Sequence, residues 1–166
     1  MIRGIGISVV KPTDEFIRKV KMFKNAVLHM IFGVHSQNDF ELLSDNDLKL
    51  LILEYKGCGR GMKFMYTEKE QLIINSSWIR NHIMNLQSKF AVISFDNLAV
   101  SQLGMKSKVS SDAWEKYFLG EDGKFTFYID CVSNTFSKNS TIHSEQAFSI
   151  DSKTVIEMFQ FIRNKE

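Results

Sequence analysis

The sequence predicts an α+β fold in which amphipathic helices at the two ends flank a β-rich middle. Three observations carry that expectation. Apolar residues recur at three- and four-residue spacing near the N-terminus and again near the C-terminus. Between these stretches the chain reads mostly as short strands and turns, with a period-two run at Phe125, Phe127, Ile129 and Cys131. Strands do not alternate with helices along the chain, which favours a mainly antiparallel sheet or half-barrel over a parallel one.

The spacing of Phe16, Ile17, Val20, Phe23, Val27, Met30 and Ile31 predicts one long N-terminal helix over 13–33. Thr13 caps its first turn, Asp14 and Glu15 sit where the helix dipole favours anions, and Gly33 terminates it. Leu48 to Tyr55 is a short, nearly continuous apolar run, as in a strand covered on both faces. Ser44 ahead of Asp45 to Asp47 leaves a helix start open at the same place. Met62 to Thr67 and Gln71 to Asn75 flank a polar stretch, Glu68 to Glu70, and predict a hairpin. Trp78 to Leu86 fits either helix or strand.

Phe90 to Phe95 predicts a strand running to an Asp96-Asn97 turn, with Leu98 to Leu103 as the next strand. Asp112 to Phe118 predicts a short helical turn. Glu121-Asp122-Gly123 supplies turn chemistry before the Phe125 strand, and Ile142 to Ile150 is the last strand expected. A C-terminal helix over 152–164 follows from Val155, Ile156, Phe159 and Ile162, with Asp151 as N-cap and Ile150 as a hydrophobic staple. Residues 1–166 are thus expected as a single domain with a β-rich body over 48–150.

Composition narrows the class. The chain has 166 residues, 44% hydrophobic and 12% aromatic, one proline and a net charge of +2, which excludes collagen-like, acidic-tail and disordered classes. No apolar stretch approaches a membrane span, and the N-terminal apolar run is cut by Lys11 and Pro12, so a cytoplasmic protein is expected. Cys58 and Cys131 are too few for a disulfide framework and are expected as reduced thiols, at least one of them buried. Lysines and arginines are spread along the chain; the densest group, Arg18, Lys19, Lys21 and Lys24, reads as the wet face of the first helix, and no nucleic-acid partner is expected.

No stretch carries a complete catalytic motif. Gly57-Cys58-Gly59-Arg60-Gly61 lacks the Gly-Lys-Ser/Thr of a phosphate loop and is expected to run into a strand, not a helix. His29, His35, His82 and His143 lie at no metal-ligand spacing, so neither metal nor cofactor is expected. A Cys58 pair with His82 or His143 is the one nucleophilic arrangement to test, and whether Cys58 is reactive stays open. Trp78 with Arg80, and Trp114, sit among polar neighbours. That composition is enriched at binding hot spots, and the rings serve equally well as plugs at the ends of a sheet.

From Leu50 onward the order of features resembles small bacterial pleckstrin-homology-like (GRAM-like) domains. The residues that carry the likeness are Gly61-Met62-Lys63-Phe64-Met65-Tyr66-Thr67-Glu68, then Leu72-Ile73-Ile74-Asn75, then Ile93-Ser94-Phe95-Asp96-Asn97-Leu98. The resemblance implies paired strands closed by a C-terminal helix, and a module that binds proteins or lipid headgroups. The expected function is a non-enzymatic protein-binding module, in its sharper form an immunity protein that neutralises a cognate bacterial toxin by direct binding. The alternative is a lipid- or membrane-surface-binding module using Lys106 and Lys108.

Overall fold

Four short segments rich in leucine, isoleucine and valine pair side by side in a computed structural model that describes residues 4–140 and 146–165. They are β1 (Ile5–Ser8), β2 (Ala26–Ile31), β3 (Lys49–Leu53) and β4 (Val92–Phe95), hydrogen-bonded in the order β1-β2-β3-β4. All three pairings are parallel. Parallel neighbours need crossovers, and helices supply them: α1 (Asp14–Val20), α2 (Gln37–Leu43), then α3 (Arg60–Thr67) with α4 (Lys69–Leu86). A fifth helix, α5 (Asn97–Leu103), follows β4. These elements lie in the first of two compact units, Met1–Ser110 and Ser111–Glu166.

Right-handed crossovers stepping always in one direction place every connecting helix on the same side of the sheet. Burial agrees. Leu28, Met30, Leu50 and Ile52, which share one sheet face by register, are fully buried. Helix residues Ile17, Val20, Phe40, Leu43, Ile79, Ile83 and Leu103 are buried as well. Each such side chain contributes roughly 1.5–3 kcal/mol by leaving water.

Helix starts are set by side-chain caps. Thr13 Oγ1 accepts from the Phe16 amide at 3.1 Å. Ser36 and Asp39 form a reciprocal capping box on α2, and Asp96 Oδ1 accepts from the Ala99 amide at 2.8 Å on α5.

In the second unit, β5 (Tyr128–Asp130), β6 (Thr135–Ser137) and β7 (Phe148–Ser149) form an antiparallel sheet in sequence order. Asp130 Oδ1 accepts from the amides of Val132 and Ser133, tightening the turn between β5 and β6. Helix α7 (Val155–Arg163) buries Met158 and Ile162 against Phe136, ringed by Phe127, Ile129, Phe148, Ile150 and Phe161. Phe136, Phe148 and Phe161 meet with centroids 4.8–5.7 Å apart, two of the three pairs edge-on. A short helix, α6 (Ser111–Tyr117), opens the unit.

The α+β class holds, but several expected elements are different. The helix expected over 13–33 keeps its Thr13 cap and ends at Val20; residues 26–31 are β2. There Leu28 and Met30 alternate with His29, and sheet pairing overrides the helical spacing that Val27, Met30 and Ile31 also satisfy. The body over 48–150 is not β-rich, because Met62 to Asn75, expected as a hairpin, lies in α3 and the first part of α4. Leu98 to Leu103 is helix α5, and the Asp96-Asn97 pair is its cap.

The larger sheet is therefore parallel; the antiparallel expectation describes only the smaller one. Two of the three segments that carry the pleckstrin-like resemblance, Gly61–Glu68 and Leu72–Asn75, lie in or at the ends of helices α3 and α4 rather than in strands. The C-terminal helix is present, capped by Thr154 and Glu157 three residues beyond the expected Asp151. Part of the strand expected over Ile142 to Ile150, with His143, lies outside the described residues. Cys58 and Cys131 are both exposed, against the expectation that one is buried.

Candidate functional site

In an open parallel sheet a ligand crevice forms where the strand order reverses. The order β1-β2-β3-β4 never reverses, so this sheet has no such crevice. Polar residues at the carboxyl ends of its strands are instead used to join elements. Asp96 Oδ2 accepts from the Glu54 amide at 2.9 Å. Gln102 accepts from the Tyr55 amide at 2.9 Å and donates to the Tyr55 carbonyl at 2.8 Å. Asn75 donates to the Val34 carbonyl at 3.2 Å and accepts from Gln71 at 2.7 Å. His35 is buried, with Nδ1 3.9 Å from Asp39 Oδ2, and burial lowers its pKa against the opposing pull of Asp39.

The residue types that sequence reasoning singled out for binding already have internal partners. Trp78 is half-buried on α4, 5.5 Å from the Phe40 ring and stacked at 5.0 Å on His82. Arg80 donates through Nε to the Gln102 carbonyl at 2.7 Å, and its guanidinium lies 5.0 Å over the Phe32 ring. These contacts tie α4 to α5 and to the end of β2. Trp114, in the second unit, stacks on Phe118 with centroids 4.2 Å apart.

The glycine segment at 57–61 does open a helix, at Arg60, contrary to expectation. The residues after it, Met62-Lys63, still lack the lysine-hydroxyl pair that would meet phosphates. Among the described residues no group of three or more His, Cys, Asp or Glu is arranged to hold a metal ion. No helix among them is long and apolar enough to cross a membrane.

The second face of the parallel sheet is less buried than the face lined by Leu28, Met30, Leu50 and Ile52. Ser8, His29, Leu51 and Ser94 form one row across this second face by register. Ile31 pairs with Leu53 on the same face, and Lys49 with Val92. Val27, His29, Leu51 and Leu53 are only half-buried, Ile31 is 40% exposed and Val92 is 48% exposed. His29 is the polar group at the middle of this apolar surface. A Cβ at Gly6 would fall 2.6 Å from its Cε1 and 2.7 Å from its Nε2, so the imidazole packs directly over the bare backbone of β1.

No protein-family model, curated protein or solved structure matches the chain. What these residues can do therefore follows from their own arrangement: a mostly apolar face with a central imidazole and serines at its edges offers contact area and a few hydrogen-bonding groups.

Sequence reasoning missed this face because its residues are as apolar as those beneath the helices. A run such as Leu50-Leu51-Ile52-Leu53 reads as covered on both sides. The signal that distinguishes the two faces is topological, the single direction of strand order, and it becomes readable only once β2 is recognised as a strand.

Proposed function

We propose that the chain is a non-enzymatic protein-binding module that works by surface complementarity, in its sharper form an immunity-type protein that neutralises a cognate bacterial toxin by occupying its active or essential surface. The observation that supports this reading is the open face of the parallel sheet. Contiguous exposed apolar surface is costly in water and marks interaction sites. Here Ile31, Leu51, Leu53 and Val92 supply that surface, while polar positions at its edges, Ser8 and Ser94, fit the rim of an interface.

The test is co-expression with a toxin encoded beside this chain. Protection of the cells and co-purification of a stable complex are the expected results; loss of both overturns the reading. The membrane-surface alternative rests on Lys106 and Lys108. Lys106 is exposed and Lys108 half-buried around a single helical turn, which makes a small basic surface. Sedimentation with anionic vesicles at low salt separates the two readings.

A further inference from the structure

The amino ends of β2 and β3 border an open cavity of about 370 Å³. Its apolar lining is Val20 and Leu48, both buried, Ala26, and Phe23, which stands 51% exposed. Its rim carries Lys21, Lys24 and Lys49 against one carboxylate, Asp47. Three cations against one carboxylate give the cavity a positive rim, which favours an anionic ligand.

Several lysines elsewhere in the chain pair with carboxylates. Lys19 pairs with Glu15 at 2.8 Å, Lys89 with Asp45 at 3.1 Å and Lys153 with Asp151 at 3.5 Å. Around the cavity the partners are neutral amides. Lys21 Nζ donates to Asn46 Oδ1 at 2.8 Å, and Lys49 Nζ donates to Asn25 Oδ1 at 2.9 Å. An amide oxygen fixes where an ammonium sits without cancelling its charge. Among the described residues no carboxylate pairs with Lys21, Lys24 or Lys49. The end of α1 favours a cation at Lys21 alone; Lys24 lies in the following turn and Lys49 on β3.

We propose that this cavity docks an acidic segment of a protein partner, with carboxylates between the lysines and an apolar side chain on the Val20–Leu48 lining. The proposal rests on the protein-binding reading and names the chemistry of the partner. Charge complementarity of this kind steers encounter and sets salt dependence.

The experiment titrates the isotope-labelled full chain at low salt with a synthetic Asp-Phe-Asp-Glu peptide, a Lys-Phe-Lys-Lys control and citrate, following backbone amide shifts. Saturable shifts confined to residues 20–26 and 46–49 are expected with the acidic peptide only, weakening as salt is added. The Lys21→Gln/Lys49→Gln double variant is expected to bind about tenfold more weakly, the size of loss that follows when two charged contacts go. Lys24→Gln, which disturbs no hydrogen bond to Asn25 or Asn46, is expected to weaken binding as well and keeps the test open should the double variant misfold. No saturable shifts, equal shifts with the basic peptide, or citrate binding as tightly as the acidic peptide overturns the proposal. Because the titration needs no natural partner, its failure leaves the open-face reading untouched, and a failed co-expression leaves peptide binding to stand or fall by itself.

Discussion

The bare backbone of Gly6 lies directly beneath the imidazole of His29, close enough that any β-carbon at position 6 would sit 2.7 Å from Nε2. The two residues occupy adjacent strands on the open face of the parallel sheet, His29 two residues beyond the register partner of Gly6. A glycine in a strand ordinarily weakens it, so replacing one by alanine at a permissive position stabilises by about 0.4–1 kcal/mol. At position 6 the sign reverses. Gly6→Ala is expected to destabilise by roughly 1–3 kcal/mol through overpacking, and His29→Ala in the same chain is expected to restore most of that loss. Urea melts of the two single variants and the double variant give the coupling directly. Strictly additive effects would show that the imidazole does not rest on Gly6.

How much of this was legible in the sequence varies with what sets each element. Caps are local chemistry, and Thr13 reads correctly because its hydroxyl needs only the amide three residues on. Strands β3 and β4 and the C-terminal helix also follow from local pattern. Strand β2 does not, because Val20, Phe23, Val27 and Met30 satisfy helical spacing while sheet pairing with β1 and β3 decides the outcome. Helix α4 hides for another reason: Asn75 and Ser76, two of its buried positions, are polar and interrupt the apolar stripe of Ile79, Ile83 and Leu86. The open face was the least legible feature, since exposure there comes from crossover handedness and not from residue type.

Variants of that face separate docking from folding. Ile31→Asp and Val92→Asp place a charge where the side chain is already 40% and 48% exposed, so neither buries an unpaired carboxylate. Each is expected to lower affinity for the protein partner by about tenfold or more, as truncating a central interface contact does. The melting temperature is expected to move little. Leu50→Ala, on the helix-covered face of the same sheet, is expected to do the opposite, costing about 2–5 kcal/mol of stability because Leu50 is fully buried. Equal loss of stability in Val92→Asp and Leu50→Ala would mean that the two faces are not different in kind.

Arg80 tests whether a residue with the composition of a hot spot is spent inside the molecule. Its Nε hydrogen bond to the Gln102 carbonyl and its position over Phe32 join three elements. Arg80→Lys keeps the charge but loses the planar guanidinium that makes both contacts. A stability loss of about 0.5–1.5 kcal/mol is expected from the hydrogen bond and the ring contact together, with partner affinity unchanged once folding is accounted for. A drop in affinity with unchanged unfolding would return Arg80 to the interface.

His35 makes stability depend on pH with a definite sign. It is 5% exposed, and burial holds its pKa below the ordinary value of 6.5, with Asp39 pulling weakly the other way. As pH falls below that ordinary value, the unfolded chain takes up a proton that the folded chain resists. The unfolded state then binds more protons, so stability contributed by neutral His35 is present above about pH 6.5 and is lost on acidification towards the folded pKa. The slope cannot exceed one proton, about 1.4 kcal/mol per pH unit. His35→Gln keeps a polar side chain near Asp39 and removes the titration. Urea unfolding at several pH values from 7.5 downward should show a slope in the parent protein that is smaller in the variant, whatever the variant's absolute stability. Parallel slopes would mean that His35 does not set the acid sensitivity.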